Sequence, residues 1–319
     1  MRILVTGVAG FIGSSIAKRA ISAGHSVVGV DNLITGKLEN LASIASQIEF
    51  AEQDIRDHEA MSRLCEGVEV VFHEAALPSV PKSVLDPWTS HQHNVEGTLS
   101  VLLAAREQKV RRVVYAASSS AYGESPTLPK HEQMLPAPIS PYAVQKLTGE
   151  HYMQSFYRVY GLETVCLRYF NVFGPFQAAD SPYSGVLAKF ITSLLEAKSP
   201  IIYGDGQQSR DFTYIDNVVT ANLMAATAPA ENVAGKVYNL ACGERHSLLD
   251  TFRTLAEITG FTGQPEFGPS RQGDIAHSLA DISLIGQDLG YRPEVGFADG
   301  LRRTVDWYAE AMGVAVRQA

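Results

Sequence analysis

Tyr142 and Lys146 stand four residues apart in a stretch patterned as a helix. That spacing puts both side chains on one face, one turn apart. An ammonium beside a phenol favours the phenolate and lowers its pKa toward neutrality. Such a phenolate can take a proton from a hydroxyl group while hydride leaves the same carbon. A Tyr/Lys pair at this spacing is common by chance, so its partners matter. Ser118-Ser119-Ser120 follow an apolar run ending at Ala116. In an open α/β sheet such a strand end is where ligands bind. A serine hydroxyl there can hold a substrate oxygen and relay its proton.

A second constellation lies at the start of the chain. Thr6-Gly7-Val8-Ala9-Gly10-Phe11-Ile12-Gly13 follows a strand-like run and opens a helical pattern. Gly7 permits a tight turn, Gly10 lets backbone approach a pyrophosphate, and Gly13 lets helix pack on strand. The anion then meets backbone N–H groups at a helix N-terminus. Asp31 ends the next strand-like run, 18 residues past Gly13. A carboxylate there binds both ribose hydroxyls and repels a 2′-phosphate, which favours NAD over NADP. Asp54-Ile55 follows a further strand and is placed to reach the adenine. Ala75-Ala76 are small residues at another strand end, where the cofactor must pass closely. His73, just before them, reads as a structural histidine. His91 and His93 are two apart, share no helical face and have no evident third partner, so no metal site is expected.

These residues need a scaffold that brings strand ends together. Apolar runs at 3–5, 27–30, 48–51, 70–73, 113–116 and 164–167 alternate with helical patterns, notably 95–107 and 142–160. In the first helix Ile12, Ile16 and Ala20 share one face, and the pattern stops near Gly24. The alternation implies parallel strands with crossover helices, hence an α/β, doubly wound parallel sheet. Near-continuous apolar strands fit a sheet covered on both faces. After about residue 171 Pro and Gly punctuate shorter elements. Residues 210–215, with the helix after them, and 237–240 read as returns to sheet and helix. The expected division is a dinucleotide-binding domain over 1–171, with 210–240 returning to it. A smaller mixed α/β carboxy-terminal substrate lobe takes 172–209 and 241–319.

The 319 residues carry a formal net charge of −8, with 45% hydrophobic and 19% charged residues. This is globular rather than disordered composition. Net acidity without a basic run argues against nucleic acid or an anionic membrane surface as partner. Cys65, Cys166 and Cys242 are odd in number and widely separated, which suggests free thiols in a reducing compartment. The chain shows no signal peptide and no apolar run long enough to cross a bilayer, so a cytoplasmic location is expected.

Taken jointly, the motifs resemble the extended short-chain dehydrogenase/reductase family in its NAD-dependent nucleotide-sugar epimerase branch, over essentially the whole chain. They are the glycine motif, "DNL..G...N" from Asp31, "SSSAYG" from Ser118 and "SPYAVQK" from Ser140. The others are "LRYFNVFGP" from Leu167, "YGDGQQSRDFTYIDN" from Tyr203 and "RQGD...SLAD" from Arg271. The resemblance implies a Rossmann sheet, bound NAD, a UDP-sugar substrate and a homodimer formed by the helices at 95–107 and 142–160. It implies Ser118, Tyr142 and Lys146 as catalytic residues. Cofactor contacts would come from Gly7, Gly10, Phe11, Ile12, Gly13, Asp31, Asn32, Asp54, Ile55, Ala75, Ala76, Asn94, Ala116, Tyr142, Lys146 and Tyr169, with Phe170 beside the cofactor. Substrate contacts would come from Ser79, Ser118, Ser119, Tyr142, Asn171, Gln177, Tyr203, Arg210, Arg271, Asp274 and Ser278. Two converging arginines, Arg210 and Arg271, suit a diphosphate.

Within that family, dehydratases and uronate decarboxylases carry acidic residues just after the catalytic Ser/Thr. This chain has Ser119 and Ser120 there, so the acid/base pair for elimination is missing. The expectation is 4-epimerisation through a 4-keto sugar. Ser278, two positions before Ala280, occupies a gate where a tyrosine would fill space beside C2 of the sugar. Together with "SVPKS" from Ser79 and "FGPFQ" from Phe173, this favours UDP-GlcNAc/UDP-GalNAc, with UDP-Glc/UDP-Gal as well. Phe176 stands where relatives of that branch often have arginine, and it weakens a uronate reading.

Overall fold

The computed structural model describes residues 1–179, 185–269 and 276–316. The first six strands are β1 (Arg2–Thr6), β2 (Ser26–Asp31), β3 (Ile48–Glu52), β4 (Val70–His73), β5 (Arg112–Ser118) and β6 (Glu163–Tyr169). Between them run α1 (Phe11–Ser22), α2 (His58–Leu64), α3 (Val80–Leu85), α4 (Pro87–His91), α5 (Gly97–Glu107) and α6 (Pro141–Tyr160). Short strands β7 (Val172–Phe173), β8 (Ile201–Tyr203), β9 (Ser209–Arg210) and β10 (Thr213–Tyr214) follow, with α7 (Val186–Leu195) among them. Then come α8 (Ile215–Thr227), α9 (Ala230–Val233), β11 (Lys236–Leu240), β12 (His246–Ser247), α10 (Leu248–Thr259) and β13 (Glu266–Gly268). The helices α11 (Ser283–Leu289) and α12 (Phe297–Met312) complete the described elements.

The main sheet runs β3-β2-β1-β4-β5-β6-β11, and every neighbouring pair is parallel. Side chains alternate across the pleat, so successive residues of each strand feed two different cores. Ile3, Val5, Phe72 and Val114 pack with Ile16 and Ala20 of α1 and Ala221 and Ala225 of α8. Leu4, Val71, Val113 and Tyr115 pack on the other face with Met61 of α2, Leu102 of α5 and Met153 of α6. Helices therefore cover both faces, as the continuous apolar strands require. Strand order reverses at β1, which opens a crevice beyond the carboxyl ends of β1 and β4.

Two elements differ from their reading in the sequence. The helix expected over 95–107 is α5 preceded by a π turn, Gln92–Glu96. The widened turn is centred on Asn94, whose side chain reaches across to the loop after β4. Periodicity does not reveal one inserted residue, and such turns concentrate at functional sites. Residues 210–215 form β9 and β10, which pair with β12 and β7 outside the main sheet. The chain bends between them because the Asp211 carboxylate accepts the N–H groups of Cys242, Gly243 and Ala280. Residues 210–240 reach the main sheet through α8 and β11 instead. Phe173, Phe212 and Phe297 form a packed aromatic cluster that ties the short strands to α12. No helix among the described residues is long and apolar enough to cross a membrane.

Candidate active site

At the nucleotide end each glycine has a steric reason. Gly7 sits at φ +67, and a Cβ there would lie 2.8 Å from the backbone of Ala75 at the end of β4. A Cβ on Gly13 would fall 2.2 Å from the Gly7 carbonyl oxygen, so nothing larger lets α1 start so close to β1. Gly10 caps α1 without any side-chain hydrogen bond, leaving the first turn of the helix open to an anion. Phe11 and Ile12 are the first residues of that helix.

Asp31 ends β2, buried, with Oδ2 accepting the Ala9 N–H at 3.0 Å and Oδ1 the Leu33 N–H at 2.8 Å. Burial pushes its carboxyl up, and these two hydrogen bonds oppose the rise. A carboxylate offers about four lone-pair directions, so capacity remains for ribose hydroxyls. Asn32 donates to Asp54 at 3.0 Å, and Arg56 grips the same carboxylate with two nitrogens. Burial would raise the Asp54 carboxyl, but the hydrogen bonds from Arg56 and Asn32 outweigh it and hold it well below the usual range. Ile55 is buried beside Gly97. This cradle fits a dinucleotide: a glycine turn no side chain can enter, an uncapped helix start and a carboxylate one strand away.

His73 is fully buried and structural. Thr98 donates to the Asn94 carbonyl at 2.7 Å and therefore receives its bond from His73 Nε2, 2.9 Å away. Nδ1 then accepts from Thr6 Oγ1 at 2.8 Å, and Thr6 accepts the Ala75 N–H. Burial first, and then the charge of Lys146, lower the His73 pKa to about 3. The loop after β4 is thereby fixed from both sides: Asn94 Oδ1 accepts the Leu77 N–H at 2.8 Å, and Asn94 Nδ2 donates to Gln145 of α6 at 2.9 Å.

The reacting end is built where β5 and β6 meet α6. Ser118 pairs with Tyr169 across the β5–β6 ladder, with Ala116 buried two residues earlier. Ser118 Oγ accepts both the N–H and the hydroxyl of Ser120, and Ser119 opens the short turn between them. The N-terminus of α6 is capped by Ser140, with Pro141 as first residue. Tyr142 is second, and its N–H is received by the buried Ser83 hydroxyl of α3 at 3.1 Å. Lys146, one turn on, is buried with Nζ 4.7 Å over the Tyr115 ring. That ring fits because Gly149 stands beside it; a Cβ there would meet Tyr115 Oη at 2.2 Å.

The electrostatics correct one expectation. Burial pushes the Tyr142 phenol up to about 12, and the hydrogen bond with Ser118 pulls it only partly back. Burial lowers the Lys146 ammonium to about 8, while Glu74, Glu150 and Cys166 work to raise it. Lys146 shares a face with Tyr142 but points at Tyr115 and the sheet, so its charge acts on the acids there. The protein's own groups thus leave the phenol protonated at neutral pH.

Three substrate candidates come together. Asn171 Nδ2 donates to the Asp211 carbonyl at 3.0 Å and to Ser278 Oγ at 3.2 Å. Arg210 lies beside Asp211 and donates to the carbonyls of Ser209 and Ala276. The remaining candidates have contacts of their own. Gln177 donates to the Val172 carbonyl, and its own carbonyl accepts the Tyr308 hydroxyl. Tyr203 belongs to the β8–β13 pair. Ser79 is engaged as the cap of α3, accepting the Lys82 N–H. Phe176 carries Lys18 over its ring at 3.3 Å and packs on Trp307, so its side chain joins α1 to α12. Its identity therefore weighs less against a uronate than the sequence suggested. Arg271 and Asp274 lie outside the described residues.

Three groups escaped sequence reading: Ser83, Gln145 and Glu74. Ser83 closes the "SVPKS" run and Gln145 lies within "SPYAVQK", but neither was given a role there, and Glu74 was visible only as the residue between His73 and Ala75.

The profile of the NAD dependent epimerase/dehydratase family matches residues 3–241. A UDP-glucose 4-epimerase of Thermotoga maritima, solved with UDP-glucose, is 38% identical, with 98% of this chain and 100% of that one covered and a TM-score of 0.93. A UDP-N-acetylglucosamine 4-epimerase of Methanobrevibacter ruminantium, in complex with UDP-N-acetylmuramic acid, is also 38% identical at TM-score 0.93, covering 98% and 99%. A UDP-glucuronic acid 4-epimerase of Bacillus cereus, bound to UDP-glucuronic acid and NAD, is 35% identical at TM-score 0.90, covering 98% and 100%.

Proposed function

The chain belongs to the NAD dependent epimerase/dehydratase family, and from that premise we propose that it interconverts UDP-GlcNAc with UDP-GalNAc, and UDP-Glc with UDP-Gal, by inversion at C4. It is an NAD-dependent isomerase of UDP-sugars.

Ser118 holds the C4 oxygen, and Tyr142, joined to Ser118 by a hydrogen bond, takes the proton of the C4 hydroxyl and later returns it to that oxygen. Lys146 holds the nicotinamide ribose. A bound NAD would supply positive charge that favours the phenolate and the hydride acceptor and donor for C4 of the sugar. Arg210 and Arg271 take the diphosphate, which leaves the 4-keto sugar free to turn about its linkage between the two hydride steps. Ser119 and Ser120 supply no acid for elimination, which favours epimerisation over dehydration.

The choice of sugar rests on Ser278. Its hydroxyl sits 3.2 Å from Asn171 Nδ2 and 3.3 Å from the Asp211 N–H, a small side chain at the substrate end of the cleft. Small size here leaves room for an acetamido group at C2. Purified protein incubated with UDP-GlcNAc, UDP-Glc and UDP-GlcA, with products read by NMR, tests the reading. Ser278→Tyr is expected to suppress the acetamido sugar at least tenfold more than UDP-galactose. Equal losses on both sugars, or a 4-keto-6-deoxy product, would overturn it.

In this reading residues 1–171, with 210–240, form the NAD-binding domain, and 172–209 with 241–319 form the sugar-nucleotide lobe. A cytoplasmic homodimer completes it. Val144, an exposed apolar residue on α6, supports the share of the dimer face expected from 142–160, whereas the helix at 95–107 shows no exposed large apolar residue.

A further inference from the structure

Between β9 and β10 lies a buried acid to which the reaction above gives no part. Asp211 is fully enclosed. Its Oδ1 accepts the Cys242 N–H at 3.0 Å, and its Oδ2 accepts the N–H groups of Gly243 and Ala280, each at 3.1 Å. An enclosed carboxylate is costly unless hydrogen-bonded, and three backbone donors satisfy this one. They come from two separate stretches, the turn after β11 and residues 276–281. The second stretch runs between two neighbours. On one side Ser209 donates to the Ala276 carbonyl at 2.9 Å and accepts the Ser278 N–H at 3.0 Å. On the other, Lys130 donates to the Leu279 carbonyl and accepts the Asp281 N–H, both at 2.8 Å. The Ala280 N–H goes to Asp211. The backbone of residue 211 meets two substrate candidates. Its carbonyl accepts Asn171 Nδ2 at 3.0 Å, and its N–H donates to Ser278 Oγ at 3.3 Å. Asn171 also donates to Ser278 Oγ, at 3.2 Å. Asn171 sits at φ +32, a backbone state that persists only where its surroundings fix it.

We propose that Asp211 is a positioning residue for the sugar nucleotide: its carboxylate ties residue 211 to the two stretches around it, and its peptide groups thereby hold Asn171 and Ser278 as a fixed pair. This deepens the reading above and rests on Asn171 and Ser278 facing the UDP-sugar. Ser118 and Tyr142 stand on other elements, β5 and α6. The clamp therefore acts on how tightly the sugar nucleotide is held, not on the proton and hydride steps.

Calorimetry tests this, with UDP-glucose titrated into protein saturated with NAD. Burial pushes the Asp211 carboxyl up to about 6, so a buffer near pH 8 keeps it ionised. Asp211→Asn preserves the shape but has one acceptor oxygen, and in either orientation its NH2 group meets a backbone N–H. UDP-glucose affinity is expected to fall about tenfold or more. KM should rise with it, while kcat and NAD affinity stay within about threefold. Arg112→Met is the control for a loss of stability alone. It deletes buried hydrogen bonds to the carbonyls of Ala225 and Ala228 at the amino end of β5, the end away from the cleft. It should lower the Tm with both affinities within about twofold. Equal weakening of UDP-glucose and NAD in Asp211→Asn, an unchanged UDP-glucose affinity, or the same loss in Arg112→Met overturns the proposal. UDP-glucose that binds but is never inverted at C4 defeats the epimerase reading and leaves the clamp standing. If Asp211→Asn fails to fold, amide hydrogen exchange in the unaltered protein decides. UDP-glucose slowing Cys242, Gly243 and Ala280 together supports the clamp, and anything short of that shared slowing counts against it.

Discussion

Replacing Ser83 by alanine isolates how the base is held. Ser83 is fully buried on α3; its hydroxyl donates to the Val80 carbonyl at 2.7 Å and accepts the Tyr142 N–H at 3.1 Å. Tyr142 is the second residue of α6, so its N–H is among the four that the helix itself cannot satisfy. Deleting the oxygen leaves that donor buried and unpaired, which costs roughly 1–3 kcal/mol. The same hydrogen bond sets where the first turn of α6 sits against β5. A displacement of about 1 Å at a reacting group costs on the order of a hundredfold in rate. We expect urea unfolding to show a loss of about 2 kcal/mol. Steady-state kinetics should show kcat down roughly ten- to a hundredfold and KM for the UDP-sugar within about twofold. Ser140→Ala is the control. It deletes the cap of the same helix, an acceptor for the Ala143 N–H at 3.2 Å, at a similar cost of about 1 kcal/mol. It leaves the Tyr142 N–H bonded. If Ser140→Ala and Ser83→Ala reduce kcat alike, or if Ser83→Ala raises KM alone, then α3 does not position the phenol and the reasoning fails.

Gly149→Ala should invert the usual helix rule. On an exposed helix the change gains about 1 kcal/mol, but here the new Cβ would press Tyr115 Oη from 2.2 Å. Because Tyr115 carries Lys146 on its ring, a stability loss of about 1–3 kcal/mol in thermal unfolding should accompany weaker NAD binding; a rise in Tm would contradict the packing. The buried His73 sets an acid limit on the fold. Its folded pKa, lowered to about 3 by burial, lies below the usual value of 6.5, so below pH 6.5 the unfolded chain takes up a proton that the native state refuses. Stability from this group is therefore complete above 6.5 and is lost as pH falls toward 3, by about 1.4 kcal/mol per pH unit. Because Glu74 and Asp211 are pushed up to about 7 and about 6 and oppose this slope in any unfolding midpoint, the ring itself is followed by NMR between pH 7 and 4, and a His73 ring that gains its proton near pH 6.5 in the folded protein would refute the reasoning.

Legibility in the sequence followed the range of the interaction. The glycine turn was readable because its demands are local: Gly7 needs a positive φ, and Gly13 must clear an oxygen six residues back. The spacing of Tyr142 and Lys146 was readable because a helix repeats every 3.6 residues. Apolar runs marked six of the seven main strands plus the last, β11, and their alternation with helices marked the doubly wound sheet. The direction of Lys146 was not readable, since residues sharing a face of α6 still diverge once Tyr115 is placed beneath one of them. Ser83 holding Tyr142 joins positions 59 apart, and Tyr169 reaching Glu74 joins positions 95 apart. Neither pair leaves a periodic trace. By itself the sequence determined which chemical groups the protein owns and the local turns that present them. The tertiary structure decided which groups face each other, and with that the protonation each holds, because burial and neighbouring charge arise only when strands distant in the chain close side by side.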